Sequence, residues 1–171
     1  VSATTSTSGL DCLTTNLEML TMTASEFYRQ PMRRRLKDTT GQKPRTLIRV
    51  FVSPGKLEET IAYYENLQDV EHDAFFPFAE VGLYLAMVGS FLIIEGTDEQ
   101  LSPFRETTGT VLVDDVQPYF EKFVEEDAEF VWDLHDVPTG RAFNVRHRDG
   151  TVVEYVHHRP DKNGRYWRRN G

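Results

Sequence analysis

The chain has 171 residues, 39% of them hydrophobic and 12% aromatic, enough for one well-buried core or for two small halves that share one. Its net charge of −8 is unevenly placed: residues 46 to 156 hold 7 basic and 22 acidic side chains, while residues 1 to 45 and 157 to 171 are net basic. A body of that sign repels nucleic acid, whose binding requires phosphate neutralisation, and favours cationic ligands.

No apolar run approaches the roughly 18 residues of a membrane helix, so no membrane partner is expected. The stretch "VSATTSTSGLDCLTTN" lacks a basic segment followed by an apolar one, so a secretory signal is not expected either. The single cysteine, Cys12, excludes an intramolecular disulfide and offers no metal-binding thiol pair. The expectation is a cytoplasmic protein.

Residues 1–45 read as an N-terminal extension. Residues 1–9 are Ser/Thr-rich and read as disordered, whereas Leu10, Leu13, Leu17 and Leu20 recur at helical spacing and suggest a short amphipathic helix. "RQPMRRRLKDTTGQKP" then reads as a basic linker ending at Pro44.

From residue 46 the pattern sharpens. Ile48, Val50 and Val52 alternate with Leu47, Arg49 and Phe51, which predicts a strand with two different faces. Ser53-Pro54-Gly55 ends it, and Pro54 suits a first helical position because its missing N–H would lack a helical partner anyway. Leu57, Ile61, Tyr64 and Leu67 form the expected buried stripe of that helix. Three extended segments follow over 72–80, 82–89 and 90–96, with Gly89-Ser90 as a tight hairpin turn.

After a loop containing Pro103 the order begins again. A strand over 108–113 leads to Asp114-Asp115, a fitting helix N-cap, and Val116, Phe120, Phe123 and Val124 supply the helix's apolar side. "AEFVWDLHDV", "RAFNVRHR" and "TVVEYVHH" are three more extended pieces, with "RDGT" turning the last hairpin. The order β-α-β-β-β therefore occurs twice, over about 46–96 and 107–158, within a domain spanning 46–160 and followed by a basic tail, 161–171. This is an α+β duplication whose two sheets must bury against a shared centre.

The stretches "RVFVSPGKLEETIAYYENL", "VLVDDVQPYFEKF" and above all "RHRDGTVVEYV" resemble the vicinal oxygen chelate superfamily, the fold of glyoxalases, bleomycin-resistance proteins and extradiol dioxygenases. The resemblance implies two βαβββ modules packed as paired curved mixed sheets around a central cavity, and commonly a homodimer. It also implies a divalent metal held by symmetry-related strands, a task for carboxylates, imidazoles or amide oxygens. The corresponding positions are Leu47, Ile93, Thr108 and Glu154. Leucine and isoleucine cannot ligate and threonine rarely does, so only Glu154 survives, with Glu95 conceivable as a replacement on the strand face of Ile93. No cofactor is therefore expected, a divalent metal being the alternative.

A buried Glu154 without metal needs another partner. Arg49, on the face of Leu47, is expected either to reach it, directly or through ligand or water, or to point to solvent at the cavity mouth. His135-Asp136, beside Thr139 and Arg141, is a conceivable base and orienter, although adjacent residues of a strand point opposite ways and a turn through Asp136, Pro138 and Gly140 accounts for them. His147, His157 and His158 read as surface residues. Phe75, Phe76, Phe78, Phe104 and Trp132 are placed to flank the cavity, where aromatic walls suit a flat or cationic molecule, or else to fill ordinary sheet core.

These readings converge on a metal-independent protein of bleomycin-resistance type that sequesters an aromatic or cationic organic ligand. Its expected lining is Leu47, Arg49, Phe76, Thr108, Thr110, Trp132 and Glu154. The alternative is an enzyme of the same superfamily, a lyase, isomerase or dioxygenase, with Glu154, His135 and Arg49 as catalytic candidates.

Overall fold

The computed structural model describes residues 38–160. The alternating segment forms β1 (Arg45–Val52), followed by α1 (Leu57–Gln68), β2 (His72–Phe78), β3 (Leu83–Val88) and β4 (Phe91–Glu95). A short helix, α2 (Asp98–Leu101), and a 3-10 turn, Ser102–Phe104, lead to the second module. That module comprises β5 (Thr107–Leu112), α3 (Val116–Glu125), β6 (Phe130–Val137), β7 (Gly140–Arg146) and β8 (Val152–His158). The helix expected over 10–20, most of the basic linker and the tail 161–171 lie outside the described residues.

The strands make one mixed sheet in the order β2-β3-β4-β1-β5-β8-β7-β6. Each module pairs its first and last strands in parallel, β1 with β4 and β5 with β8. The modules join through β1 and β5, which run antiparallel. The two expected sheets are thus halves of one curved sheet. The curl brings Ala74, Phe76 and Met87 of the first half into one apolar cluster with Ala142 and Val156 of the second.

The opposite face carries the helices, with α1 on β3 and β4 and α3 on β7 and β8. Val113, Val116, Phe143 and Val145 form the buried centre of the second helix layer, with Phe120, Phe123 and Tyr155 against it. The β1–β5 seam lies between the two layers, and Ile48 on β1 is 54% exposed.

Local chemistry sets the helix starts. Ser53, Pro54 and Gly55 form a separate turn, with Lys56 N donating to Ser53 O and Gly55 at φ +83°, so α1 begins at Leu57 and Pro54 does not enter it. Lys56 makes no side-chain cap; Glu95 at the end of β4 accepts from the Leu57 N–H at 2.8 Å instead. In α3 the expected cap forms, Asp115 accepting from Gln117 N at 2.9 Å. His157 Nδ1, near the end of β8, takes the Val116 N–H at 3.2 Å. Both modules therefore close the start of their helix with a side chain from their own last strand.

The expected stripe of α1 is only half buried. Leu57 and Ile61 are fully enclosed and Tyr64 stacks on Phe91 at 4.1 Å, but Leu67 is exposed in the final turn, beyond the covered part of the sheet. Val124 near the end of α3 is exposed as well. Among the described residues no helix is long and apolar enough to cross a membrane.

Glu95 is buried and receives an otherwise orphaned helix N–H. Glu95→Ala is expected to lower stability by about 1–3 kcal/mol, read as a lower urea midpoint at unchanged slope, with Glu95→Gln recovering part of the loss.

Candidate functional site

Across the concave face, five side chains fall on one row through five strands. Leu47 of β1 is opposite Thr110 of β5, Thr110 is beside Glu154 of β8, Glu154 is opposite Asn144 of β7, and Asn144 is opposite Trp132 of β6. Arg49 lies two residues beyond Leu47 and hence on the same face.

Arg49 turns onto this row. Its Nε donates to Thr110 Oγ1 at 3.0 Å and its Nη2 lies 2.8 Å from Glu154 Oε2. Thr110 Oγ1 in turn donates to the same Oε2 at 2.8 Å, closing a three-residue ring. The contact between Arg49 and Glu154 is therefore direct, and the solvent-facing alternative for Arg49 does not apply: its side chain is 4% exposed and that of Glu154 19%. Both contacts fall on Oε2. Since no buried side-chain oxygen or nitrogen among the described residues lacks a hydrogen-bond partner, Oε1 is in reach of solvent.

Asn144 extends the polar row, donating from Nδ2 to Thr107 Oγ1 at 2.8 Å with both residues buried. Neither was expected in the site. The available signal for Asn144 was one amide inside the apolar run "RAFNV". Thr107 replaces the expected Thr108 because an irregularity between Thr107 and Gly109 shifts the pairing of β5 with β8. Thr108 is consequently exposed, its hydroxyl donating to Val152 O at 3.2 Å.

Counting from the hairpin glycines also misplaces the position in β4. Ile93 pairs with Val50 and lies on the helix-covered face, and Glu95 shares that face, where it caps α1. Leu92 and Ile94 are the β4 residues in the concave cluster. The two hairpins differ: β3 and β4 are joined by Gly89-Ser90, whereas residues 147–151 join β7 and β8. Glu95 is thus removed as a replacement ligand.

The donor set does not fit the divalent metal that the fold suggests. Glu154 is the one carboxylate on the row, its row neighbours Thr110 and Asn144 add only a hydroxyl and an amide oxygen, Leu47 has no donor atom, and a guanidinium already touches Oε2. Two unit charges 4 Å apart repel by about 4 kcal/mol at an effective dielectric of 20, and a divalent ion doubles that. Among the described residues no three His, Cys, Asp or Glu side chains gather as a metal site.

The other candidates separate. His135 Nδ1 is 2.6 Å from Asp133 O, so that nitrogen carries the proton, and Asp136 turns to Arg141 at 3.7 Å; there is no His-Asp dyad. His135 does lie 5.7 Å from Trp132, which in turn lies 5.1 Å from Phe104, making an aromatic end to the row. Phe76 is buried in the concave cluster. His157 and His158 are buried, contrary to the surface reading, because the described segment around Thr39 packs along β8: Thr39 N donates to His158 O, and His158 N to Thr39 Oγ1. His147 is half-buried, 3.2 Å from the Tyr155 hydroxyl. Much of the expected central cavity is filled by apolar side chains, and a space of about 40 Å³ opens beside Arg45, Asp73, Met87, Leu112 and His158.

A crystal structure of an uncharacterized protein from Methanosarcina mazei is 36% identical to this chain, covering 69% of it and 94% of that protein, with a TM-score of 0.57. Methylmalonyl-CoA epimerase from Mycobacterium tuberculosis is 14% identical, covering 67% of this chain and 88% of its own, with a TM-score of 0.52. No family model and no curated protein matches the sequence.

Two outcomes follow from the geometry. Arg49→Met strands a largely enclosed carboxylate and is expected to cost about 3 kcal/mol, most of it restored when Glu154→Met is added, as measured by a double-mutant cycle in urea. Burial pushes His158 down to about 4, against the pull of Glu154 and with Arg45, His157 and Arg159 reinforcing it. Its contribution is therefore complete above the unfolded value of about 6.5 and is lost as pH falls from there toward 4, by about 3 kcal/mol in all. The slope of unfolding free energy against pH in that window is expected to flatten in His158→Gln.

Proposed function

We propose that this chain, which has the fold of the vicinal oxygen chelate superfamily, binds a small organic molecule along the row from Arg49 to Trp132, without a resident metal. The observation that carries this reading is the ring of Arg49, Thr110 and Glu154, set beside Asn144 and the apolar concave cluster with one carboxylate oxygen open. An enclosed ion pair is a poor device for stability, because desolvation offsets its attraction. A few converging polar groups among apolar walls are instead the usual make-up of a small-molecule site. The ligand class follows from the open atoms: an N–H or O–H group, neutral or cationic, for Glu154 Oε1, and a flat portion for the Trp132 and Phe104 rings.

Turnover of the bound molecule is the second reading, and the same open oxygen supports it. A carboxylate pinned through Oε2 presents Oε1 in a fixed direction, as a base that removes a proton must. The Mycobacterium tuberculosis protein with this fold is an epimerase, which supports turnover over sequestration of a drug in the manner of bleomycin-resistance proteins.

Screening the full chain against aromatic amines, cations and neutral hydrogen-bond donors is expected to yield compounds that raise its melting temperature saturably. Glu154→Gln should weaken such binding roughly tenfold, in line with loss of a charge-assisted hydrogen bond, and Trp132→Ala should weaken it for flat compounds. Proton NMR of each hit distinguishes turnover from sequestration. A screen in which no such compound shifts the melting temperature or perturbs residues of β1, β5 and β8 would remove the reading.

A further inference from the structure

The Glu154 carboxylate is the concave-face group to which a metal would be drawn, yet a guanidinium lies 2.8 Å from its Oε2. We propose that Arg49 is the permanent cation of this face, holding the place beside Glu154 that a divalent ion would need, closing the face to metals and reserving it for organic ligands. This rests on the reading of the concave face as the functional one.

A divalent ion binds carboxylate oxygen at about 2.0–2.6 Å, so an ion on Oε2 would stand against the guanidinium. Arg49 is not free to withdraw. It projects from a central strand, its side chain is almost wholly enclosed, and its Nε is held by Thr110 Oγ1 at 3.0 Å. Thr110 also donates to Oε2, so two donors already face that oxygen, and an ion on the open Oε1 would still lie in the field of the guanidinium on the same carboxylate. Besides Glu154 the row offers oxygen at Thr110 and Asn144, which suffices for at most weak ion binding once the guanidinium is gone. The charge balance points the same way, since the one carboxylate of the row is already neutralised by a cation that no chelator can remove.

A merely structural arginine would tie β1 to β8 without governing metal affinity, so metal binding is the readout that separates the two roles. Wild-type protein, Arg49→Ser, and Arg49→Ser with Glu154→Ala are to be dialysed against Mn²⁺, Ni²⁺ or Zn²⁺ and compared by elemental analysis and melting temperature. Wild type is expected to show no Glu154-dependent metal. Arg49→Ser is expected to bind at least one of the three ions at least tenfold more tightly than wild type, with the gain lost in the double variant. Stoichiometric metal on wild type that disappears in Glu154→Ala would overturn the proposal, as would a folded Arg49→Ser with no gain.

If Arg49→Ser does not fold, wild type still decides: Mn²⁺ should leave the amide NMR signals of Thr110, Asn144 and Glu154 unbroadened, and selective broadening there sinks the idea. Organic ligand binding to wild type should also be unchanged by EDTA. A wild type that rejects metals but binds no organic molecule would remove the ligand reading and leave the role of Arg49 standing, whereas EDTA-sensitive ligand binding would refute that role alone.

Discussion

The antiparallel pairing of β1 with β5 is the constraint on which the remaining organisation depends. It joins two four-stranded halves into one sheet and fixes which residues face each other across the seam. Because side chains alternate along a strand, this register places Leu47 and Arg49 on the same concave surface as Thr110, and the parallel pairing of β5 with β8 adds Glu154. A slip of one residue would turn Arg49 toward the helix layer and leave Glu154 enclosed without a cation. The register and the polar ring therefore specify one another: the pairing aligns the groups, and a misaligned pairing leaves a charge uncompensated.

Much of this architecture was readable from residues. The repeated β-α-β-β-β order, the face shared by Leu47 and Arg49, and the Asp115 cap rest on local rules of periodicity and turn chemistry that tertiary context does not override. What escaped depended on details at strand ends. Pro54 looked helical, but Gly55 takes a left-handed conformation and delays the helix to Leu57. Thr108 was displaced by an irregularity in β5, and Ile93 by the different hairpins before β4 and β8, neither of which a count from glycines can register. Nothing local marks His157 and His158 as buried: the Thr39 segment that packs on His158 is more than a hundred residues away in the chain, and His157 meets the start of α3.

The polar groups of the interior divide into two kinds by what they touch. Glu95 and His157 meet backbone N–H groups at the starts of α1 and α3. Arg49, Thr110 and Glu154 meet one another and cap nothing. The first kind repays its desolvation by satisfying donors that folding would otherwise strand. The second has no such debt to settle, since apolar residues of similar size would pack the same space at least as favourably. That contrast sets the concave-face ring apart from the groups that serve the helix starts.

Of the residues on the polar row, Thr110, Trp132, Asn144 and Glu154 belong to the second module, and the first contributes Leu47 and the side chain of Arg49. At the matching places in the first module's outer strands stand Leu92, Met87 and Ala74 or Phe76, all within the apolar cluster. The duplication has thus produced two unlike copies: one presents an apolar concave surface, the other a polar row. The two halves should accordingly tolerate change under different laws. On the concave face of β2 to β4 a substitution is judged by volume and shape, whereas on that of β5 to β8 a change that preserves volume can still break a hydrogen bond by exchanging one atom for another.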